Sequence, residues 1–408
     1  VDERITWKLE DIFSTEADWE KEFKEVAELA KKASSYQGTI SSGPEALLEV
    51  LTYRDELTSR LRKLYTYAHM RNDQDTSNSK YQALDSRIKS LYVKVSTELS
   101  FLVPEILSLD ETVLGNYLKE NNELQVYKQM LEEINKERPH VLPKEQEALL
   151  AQFSEVTGAS ADTFGKLNNA DLEFPFIKDE NGNEVQLTHG RYSRFLESED
   201  RRVREDAFKG MYETYGKFKN TFASTLSGNI KADNVNAKIR NYASAREAAL
   251  SANHIPESVY DNLVGTVNKN VHLLHRYVSL RKKVLGVDEL HMYDLYTPLV
   301  KELKMEYTYD EACAVMLESF KPLGEEYVSI VKKGLESRWV DVVETKGKRS
   351  GAYSSGTYGT NPYILMNWQD NVNNLFTLTH EFGHSIHSYY TRENQPYVYG
   401  DYSIFVAE

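Results

Sequence analysis

Three histidines and one glutamate fall within the eight residues HEFGHSIH at 380–387. When this stretch is placed on a helix at about 100° per residue, His380, His384 and His387 share one face. His380 and His384 are one turn apart, so their ring nitrogens can both reach a zinc ion about 2 Å away. Glu381 lies on the flank of this face, where it can reach a water on the metal without binding the ion. The HExxH pattern therefore predicts a zinc site and its general base on one helix.

The apolar residues of the same segment favour a functional helix over a chance cluster of histidines. They fall on the opposite face and predict a helix over 375–390 that packs on a core; they are Leu375, Leu378, Phe382 and Ile386. Chance would produce HExxH in such a chain only about 2% of the time, so we favour the metal site over a solvated polar face. His387 lies a full turn beyond the metal, and a substrate-facing role and a plain surface position are equally open.

A catalytic zinc ion needs three protein ligands and an open position for water. The downstream candidates for the third ligand are Glu393, Asp401 and Glu408. Glu393 follows His384 too closely if a turn intervenes, and Asp401 could instead cap the next helix. Glu408 lies about two turns into that helix and can face back across a helical hairpin. Glu408 is therefore the expected third ligand.

The overall composition argues against several classes of protein. The chain of 408 residues carries 49 Lys and Arg against 63 Asp and Glu, a net charge of −14. This charge argues against nucleic-acid and anionic-membrane partners, because phosphates would be repelled. A single cysteine excludes an intrachain disulfide and a cysteine-based metal site. No apolar run approaches the ~18 residues that span a bilayer, and the start resembles no signal peptide, so a cytoplasmic protein is expected.

Periodicity predicts a mainly α protein with two short β regions. Apolar residues recur with a helical period in the first hundred residues and again over 190–335. The stretch 172–188 predicts a β-hairpin, and 346–368, rich in Gly, Ser, Thr and Tyr, favours exposed strands. We divide the chain into an N-terminal helical region (1–110), a helical segment that ends in the hairpin (111–190) and a catalytic region that carries the predicted zinc site (191–408).

Three stretches resemble the thimet-oligopeptidase family of zinc metallopeptidases, and among them oligoendopeptidase F most closely. They are HEFGHSIHSYY at 380–390, KGKRSGAYSSGTYGTNPYILMN at 346–367 and DYSIFVAE ending at Glu408, and the likeness extends through the whole chain. The resemblance implies an elongated, mainly α fold of many helices. It also implies a small β-sheet near the HExxH helix and a deep channel that admits short peptides and excludes folded proteins.

The resemblance also implies roles for individual residues. His380, His384 and Glu408 would bind one Zn²⁺ per chain, and Glu381 would activate the water. The Gly/Tyr-rich segment would lie beside the cleft and pair with the substrate backbone by strand addition. The expected substrate contacts in this segment, for which a merely flexible hairpin is equally open, are Gly356, Thr357, Tyr358 and Gly359.

The function implied is hydrolysis of internal peptide bonds in short, unstructured peptides. Two alternatives are a zinc carboxypeptidase on a similar helical scaffold and a helical module that binds peptides without cutting them. Relatives continue considerably beyond the third ligand and carry their oxyanion-stabilising groups there. The catalytic region is therefore expected to be incomplete, and this chain is expected to be a fragment or to work with the missing C-terminal segment as a separate piece. An inactive chain is one consequence expected of that truncation.

Overall fold

The structure, a computed structural model, describes residues 2–300 and 306–407. Within these ranges most of the chain is helical, which confirms the mainly α prediction. The helices are α1 (Glu16–Ala30), α2 (Pro44–Gln74), α3 (Ser79–Glu98), α4 (Leu102–Ser108), α5 (Glu111–Glu120), α6 (Lys128–Lys136), α7 (Lys144–Lys166), α8 (His189–Leu196), α9 (Arg201–Lys217), α10 (Lys219–Ile239), α11 (Ala245–Ser251), α12 (Glu257–Leu285), α13 (Tyr309–Ser319), α14 (Glu325–Glu336), α15 (Val372–Asn394) and α16 (Ile404–Ala407). The strands are β1 (Phe176–Lys178), β2 (Glu184–Gln186), β3 (Val340–Val343), β4 (Tyr353–Ser355) and β5 (Tyr363–Trp368).

The N-terminal helices bury the apolar stripes that the periodicity predicts. Helix α1 begins at a capping box in which Thr15 and Asp18 satisfy each other's backbone N–H groups. Trp19 in its first turn is fully buried, and its indole Nε1 donates a hydrogen bond to the carbonyl oxygen of Leu64 at 3.0 Å. Helices α1, α2 and α3 share one hydrophobic core and therefore form one packed block.

The predicted β-hairpin is confirmed as the antiparallel pair of β1 and β2, with Ile177 opposite Val185. Its turn is held by the Asp179 carboxylate, which accepts hydrogen bonds from the backbone N–H groups of Asn181 and Asn183. Such local bonding by aspartate is the reason why the DENGN stretch turns at this point.

The second sheet joins two hydrophobic cores. Its strand order is β3–β5–β4, with β5 parallel to β3 and antiparallel to β4, so β4 is an edge strand. Successive side chains of a strand point to opposite faces. Tyr363 and Leu365 pack with the N-terminal helices, whereas Ile364 and Met366 pack with α13, α14 and α15. The sheet therefore places α15 on the far side from α2, and the division of the chain at 110 and 190 stays a prediction.

Among the helices that the structure describes, none is long and apolar enough to cross a bilayer.

Candidate active site

Helix α15 separates an apolar face from a histidine face, as predicted. The Asn371 side chain caps its start by accepting a hydrogen bond from the Asn374 backbone N–H at 2.8 Å. Leu378 and Phe382 are completely buried, and Ile386 is 1% exposed. This face fixes the helix on the second core, so the opposite face is presented at a defined angle.

His380 and His384 point their outer ring nitrogens at each other. The two Nε2 atoms are 2.9 Å apart, and the rings are perpendicular with centroids 4.5 Å apart. Two nitrogens each about 2.0–2.1 Å from one tetrahedral ion would lie about 3.3 Å apart, close to the observed separation. His380 is exposed and His384 is half-buried. The pair therefore fits the side-chain part of an accessible metal site.

Glu381 differs from its histidine neighbours because it is only 7% exposed. Glutamate is rarely buried unless it has a structural or chemical reason. A buried carboxylate next to His380 is shielded from bulk water, which is the environment that a general base requires.

His387 is occupied by an aromatic partner. Its ring stacks on Tyr402 with centroids 3.6 Å apart and planes 4° from parallel. The Tyr402 hydroxyl donates a hydrogen bond to the His384 carbonyl oxygen at 3.2 Å and lies 2.9 Å from the Ser388 hydroxyl. These contacts hold the segment after α15 against the histidine-bearing turn, and the substrate role of His387 stays a prediction.

The predicted third ligand, Glu408, lies outside the described residues. Within 2–300 and 306–407, no group of three or more His, Cys, Asp or Glu side chains is arranged to hold a metal. Asp401, one of the two alternatives, forms an ion pair with Arg62 of α2 instead. Glu393, the other alternative, is exposed at the end of α15. The described residues therefore include two candidate ligands, His380 and His384, and the complete ligand set stays a prediction.

A large cleft lies beside the edge strand β4. It has a volume of about 1330 Å³, and its walls are formed by α2, α3, α7 and the segment 349–357. Gly356 and Thr357 line it, whereas Tyr358 and Gly359 lie outside its wall. The Tyr358 hydroxyl instead donates a hydrogen bond to the Gln395 carbonyl oxygen at 3.2 Å. Two of the four predicted substrate contacts therefore line the cleft.

The histidine pair does not line this cleft directly, but β4 connects the two. The Ser354 and Ser385 hydroxyl oxygens are 2.8 Å apart, and Ser385 follows His384 in the helix. Ser385 is completely buried, so this contact is protected from water. Strand β4 therefore contacts the turn of α15 that carries His384 and, through Ser355, the wall of the cleft.

The opposite side of β4 is held by a buried carboxylate that sequence analysis did not find. Asp73 of α2 is 2% exposed and accepts hydrogen bonds from the Tyr353 hydroxyl at 2.8 Å and from Arg349 Nη1 at 3.2 Å. Burial, and then the Asp73 carboxylate, raise the pKa of Tyr353 well above its ordinary value, so this hydroxyl stays protonated and donates. Asp73 and Tyr353 are 280 residues apart, and no local pattern in the sequence links them.

Comparison with known proteins gives consistent matches over the whole chain. Residues 194–408 match the sequence profile of Peptidase family M3, and residues 105–174 match that of Oligopeptidase F. The chain is 61% identical to oligopeptidase PepF of Bacillus subtilis (strain 168), over 99% of this chain and 60% of that protein. It is 48% identical to group B oligopeptidase PepB of Streptococcus agalactiae serotype III (strain NEM316), over 100% of this chain and 68% of that protein.

A solved structure gives the same result for the fold. The crystal structure of oligoendopeptidase-F from Enterococcus faecium matches with a TM-score of 0.73 at 45% identity. The match covers 92% of this chain and 64% of that one. The chain thus spans 60% to 68% of the length of these three proteins.

Proposed function

This chain belongs to peptidase family M3, and we propose that it contributes to a zinc-dependent endopeptidase that hydrolyses internal bonds of short, unstructured peptides. The observation that carries the proposal is the convergence of the His380 and His384 Nε2 atoms, 2.9 Å apart on one accessible helix face. Two imidazoles at this distance can share one proton or bind one metal ion. Membership of a peptidase family favours the metal ion.

Each site residue has a role in the proposed reaction. His380, His384 and Glu408 would hold the zinc ion. When bound, zinc supplies Lewis acidity that polarises the scissile carbonyl and acidifies the attacking water. Glu381 accepts the proton of that water and delivers it to the departing amine.

The edge strand β4 orients the substrate. The outer edge of β4 offers backbone groups that no strand of the described sheet uses, and a peptide can pair with them by strand addition. Gly356 and Thr357 line the cleft at the end of this strand and are the preferred contacts. Tyr358, Gly359 and His387 stay in the proposal as weaker candidates. The cytoplasmic location expected from the sequence also stays a prediction.

Metal content tests the first part of the proposal. The purified protein should carry one zinc per chain, measured by native mass spectrometry and elemental analysis. His384→Ala should abolish stoichiometric zinc binding, because it leaves only two of the three proposed ligands, His380 and Glu408. His272→Ala is the matched control, since His272 is exposed on α12. Full zinc occupancy in His384→Ala would contradict the assigned ligands.

Product mapping separates the endopeptidase from its two alternatives. A short peptide blocked at both ends should be cut at an internal bond, and a chelator should stop the cutting without preventing capture of the peptide. A carboxypeptidase would leave the blocked peptide intact and trim an unblocked one. Capture without any cleavage would favour the binding module.

A further inference from the structure

Arg392, near the end of α15, has a guanidinium group that the surrounding protein does not satisfy. Its Nε and Nη1 atoms are buried and have no hydrogen-bond partner among the described residues. Burial lowers the pKa of Arg392 below its ordinary value, although the nearby Asp401 charge opposes this shift. A buried guanidinium nitrogen without a hydrogen-bond partner is destabilising, so two of them in one side chain need an explanation.

The guanidinium lies directly under the loop that follows β4. A Cβ atom built on Gly356 would lie 2.8 Å from Arg392 Nη1 and 2.7 Å from the Asn361 carbonyl oxygen. Gly356 also has a φ of +135°, which other residues rarely adopt. The same glycine lines the cleft. Gly356 therefore both lines the cleft and lies next to the Arg392 guanidinium.

A second guanidinium reaches the cleft from α2. Arg62 and Asp401 form an ion pair, both line the cleft, and their side chains are 41% and 53% exposed. The Arg62 charge lowers and the Asp401 charge raises the pKa of Arg392, so the three groups lie within electrostatic range of one another. This cluster, which we term the arginine cluster, holds two positive charges and one negative charge. Within these three residues the net charge is therefore +1.

We propose that the arginine cluster (Arg62, Arg392 and Asp401) binds a carboxylate group of the peptide substrate. This inference rests on the proposed function and adds a specificity determinant to it. A carboxylate supplies the missing negative charge and accepts charge-assisted, forked hydrogen bonds from a guanidinium such as Arg62. Asp401 occupies Arg62 until the peptide carboxylate replaces it or shares the pair.

The position of the cluster sets the spacing that a substrate must have. Arg392 follows His384 by eight positions in α15, or about 12 Å at about 1.5 Å per residue. An extended peptide advances about 3.3 Å per residue, so this distance corresponds to three or four peptide residues. The carboxylate is accordingly the C-terminus or an acidic side chain three or four residues from the bond that is cut.

Peptide binding to a Glu381→Gln protein tests the proposal without turnover. The first probe is a short dye-labelled peptide without acidic residues, made both as the free acid and as the C-terminal amide. The second is a series of C-terminal amides in which glutamate is placed at each position in turn. We expect one carboxylate-bearing form to bind about tenfold more tightly than its neutral counterpart, measured by fluorescence anisotropy. Tighter binding of the free acid than of the amide would identify the C-terminus as the bound carboxylate. Tighter binding of one member of the glutamate series would identify a side chain.

Three variants assign this preference to the cluster. Arg62→Gln should reduce the ratio to about one, because the carboxylate-bearing peptide loses its charged partner. Arg392→Met should also reduce the ratio to about one. It removes the charge but keeps a long, unbranched side chain in the same space. Arg60→Gln is the matched control, because Arg60 lies on the same helix and pairs with Glu22 and Glu25 away from the cleft.

The outcomes separate this inference from the proposed function. If the protein with an unchanged arginine cluster binds all peptides equally, the proposed carboxylate site is wrong, although peptide binding itself still stands. A preference that persists in Arg62→Gln and Arg392→Met would also overturn it. If no peptide binds in any form, the proposed function itself fails, and the inference fails with it.

Discussion

Helices α15 and α12 are both long and amphipathic, yet only α15 has its apolar face covered. In α15, Leu378 and Phe382 are fully buried against the sheet and neighbouring helices. In α12, which the structure describes from end to end, Arg281 is the sole buried residue. Leu263 and Leu274 on α12 are 61% and 58% exposed. A helical period in the sequence thus establishes an apolar face without establishing what covers it.

The two helices are also held by different kinds of interaction. Helix α15 is held by apolar packing, which leaves its polar face available for chemistry. Helix α12 is anchored by Arg281, whose Nη2 donates hydrogen bonds to the carbonyl oxygens of Asp294 and Thr297 at 3.1 and 2.5 Å. The Asp294 carboxylate in turn accepts hydrogen bonds from Arg201 and Arg204. Helix α15 therefore depends on buried apolar area, whereas α12 depends on a buried guanidinium that binds backbone carbonyl groups of a segment held to α9 by ion pairs.

The largest effect should come from a change on the polar face of α15 that leaves the packing intact. Glu381→Gln keeps the volume of the side chain but removes the general base, so kcat should fall about 10³-fold. Zinc content and the thermal midpoint should stay nearly the same. Glu393→Gln, exposed on the same helix, is the control. Retained turnover in Glu381→Gln would exclude this residue as the base.

A change at Phe382, next to Glu381, should lower the stability of the protein rather than its turnover. Phe382→Ala removes a fully buried ring and should cost about 4 kcal/mol of the free energy of unfolding, measured by denaturant titration. Phe376→Ala, on the same helix but 68% exposed, should cost less than about 0.5 kcal/mol. Similar losses for the two phenylalanines would show that α15 does not use one face for packing.

The ion pairs around Asp294, a residue whose backbone carbonyl accepts a hydrogen bond from Arg281 of α12, should give a smaller effect that depends on pH. Burial opposes ionisation of Asp294, but hydrogen bonds from Arg201 and Arg204 outweigh it and lower its pKa from 3.8 to about 2. Asp294→Asn should cost about 3 kcal/mol at neutral pH, because it leaves Arg204, 4% exposed, without its charged partner. Since the folded pKa is lowered, this stabilisation is complete above about pH 4 and is lost as the pH falls towards 2.

Denaturation curves at several pH values check this sign. The difference between the wild type and Asp294→Asn should shrink on acidification from pH 4 to pH 2. Asp288→Asn, at an exposed position six residues earlier, should show little difference at any pH. A difference that grows on acidification would mean that the carboxylate is not ionised in the folded protein.

The smallest effect is expected on the apolar face of α12. Leu263→Ala should change the free energy of unfolding by about 0.5 kcal/mol or less, because its side chain is mostly in water already. The measurement should be repeated at several protein concentrations. A loss of 2 kcal/mol or more would mean that this face is covered in solution, and the contrast between the two helices would then disappear.

Local patterns were sufficient to predict the hairpin, the N-terminal helices and the histidine face of α15. In each case the signal is carried by residues a few positions apart, such as the four-residue spacing of His380 and His384. The walls of the cleft could not be predicted in this way. Asp73 and Arg62 lie on a helix whose polar residues resemble an ordinary solvated face, and their partners lie hundreds of residues later in the chain.

The sequence by itself determined which side chains could bind a metal, because helical geometry places His380 and His384 on one turn whatever surrounds them. Only the tertiary structure decided that Asp73 holds the edge strand, that Arg392 lies under Gly356 and that Asp401 pairs with Arg62 rather than with the metal site. The physical reason is that backbone periodicity is local, whereas burial and charge pairing depend on which distant segments the packed cores bring together.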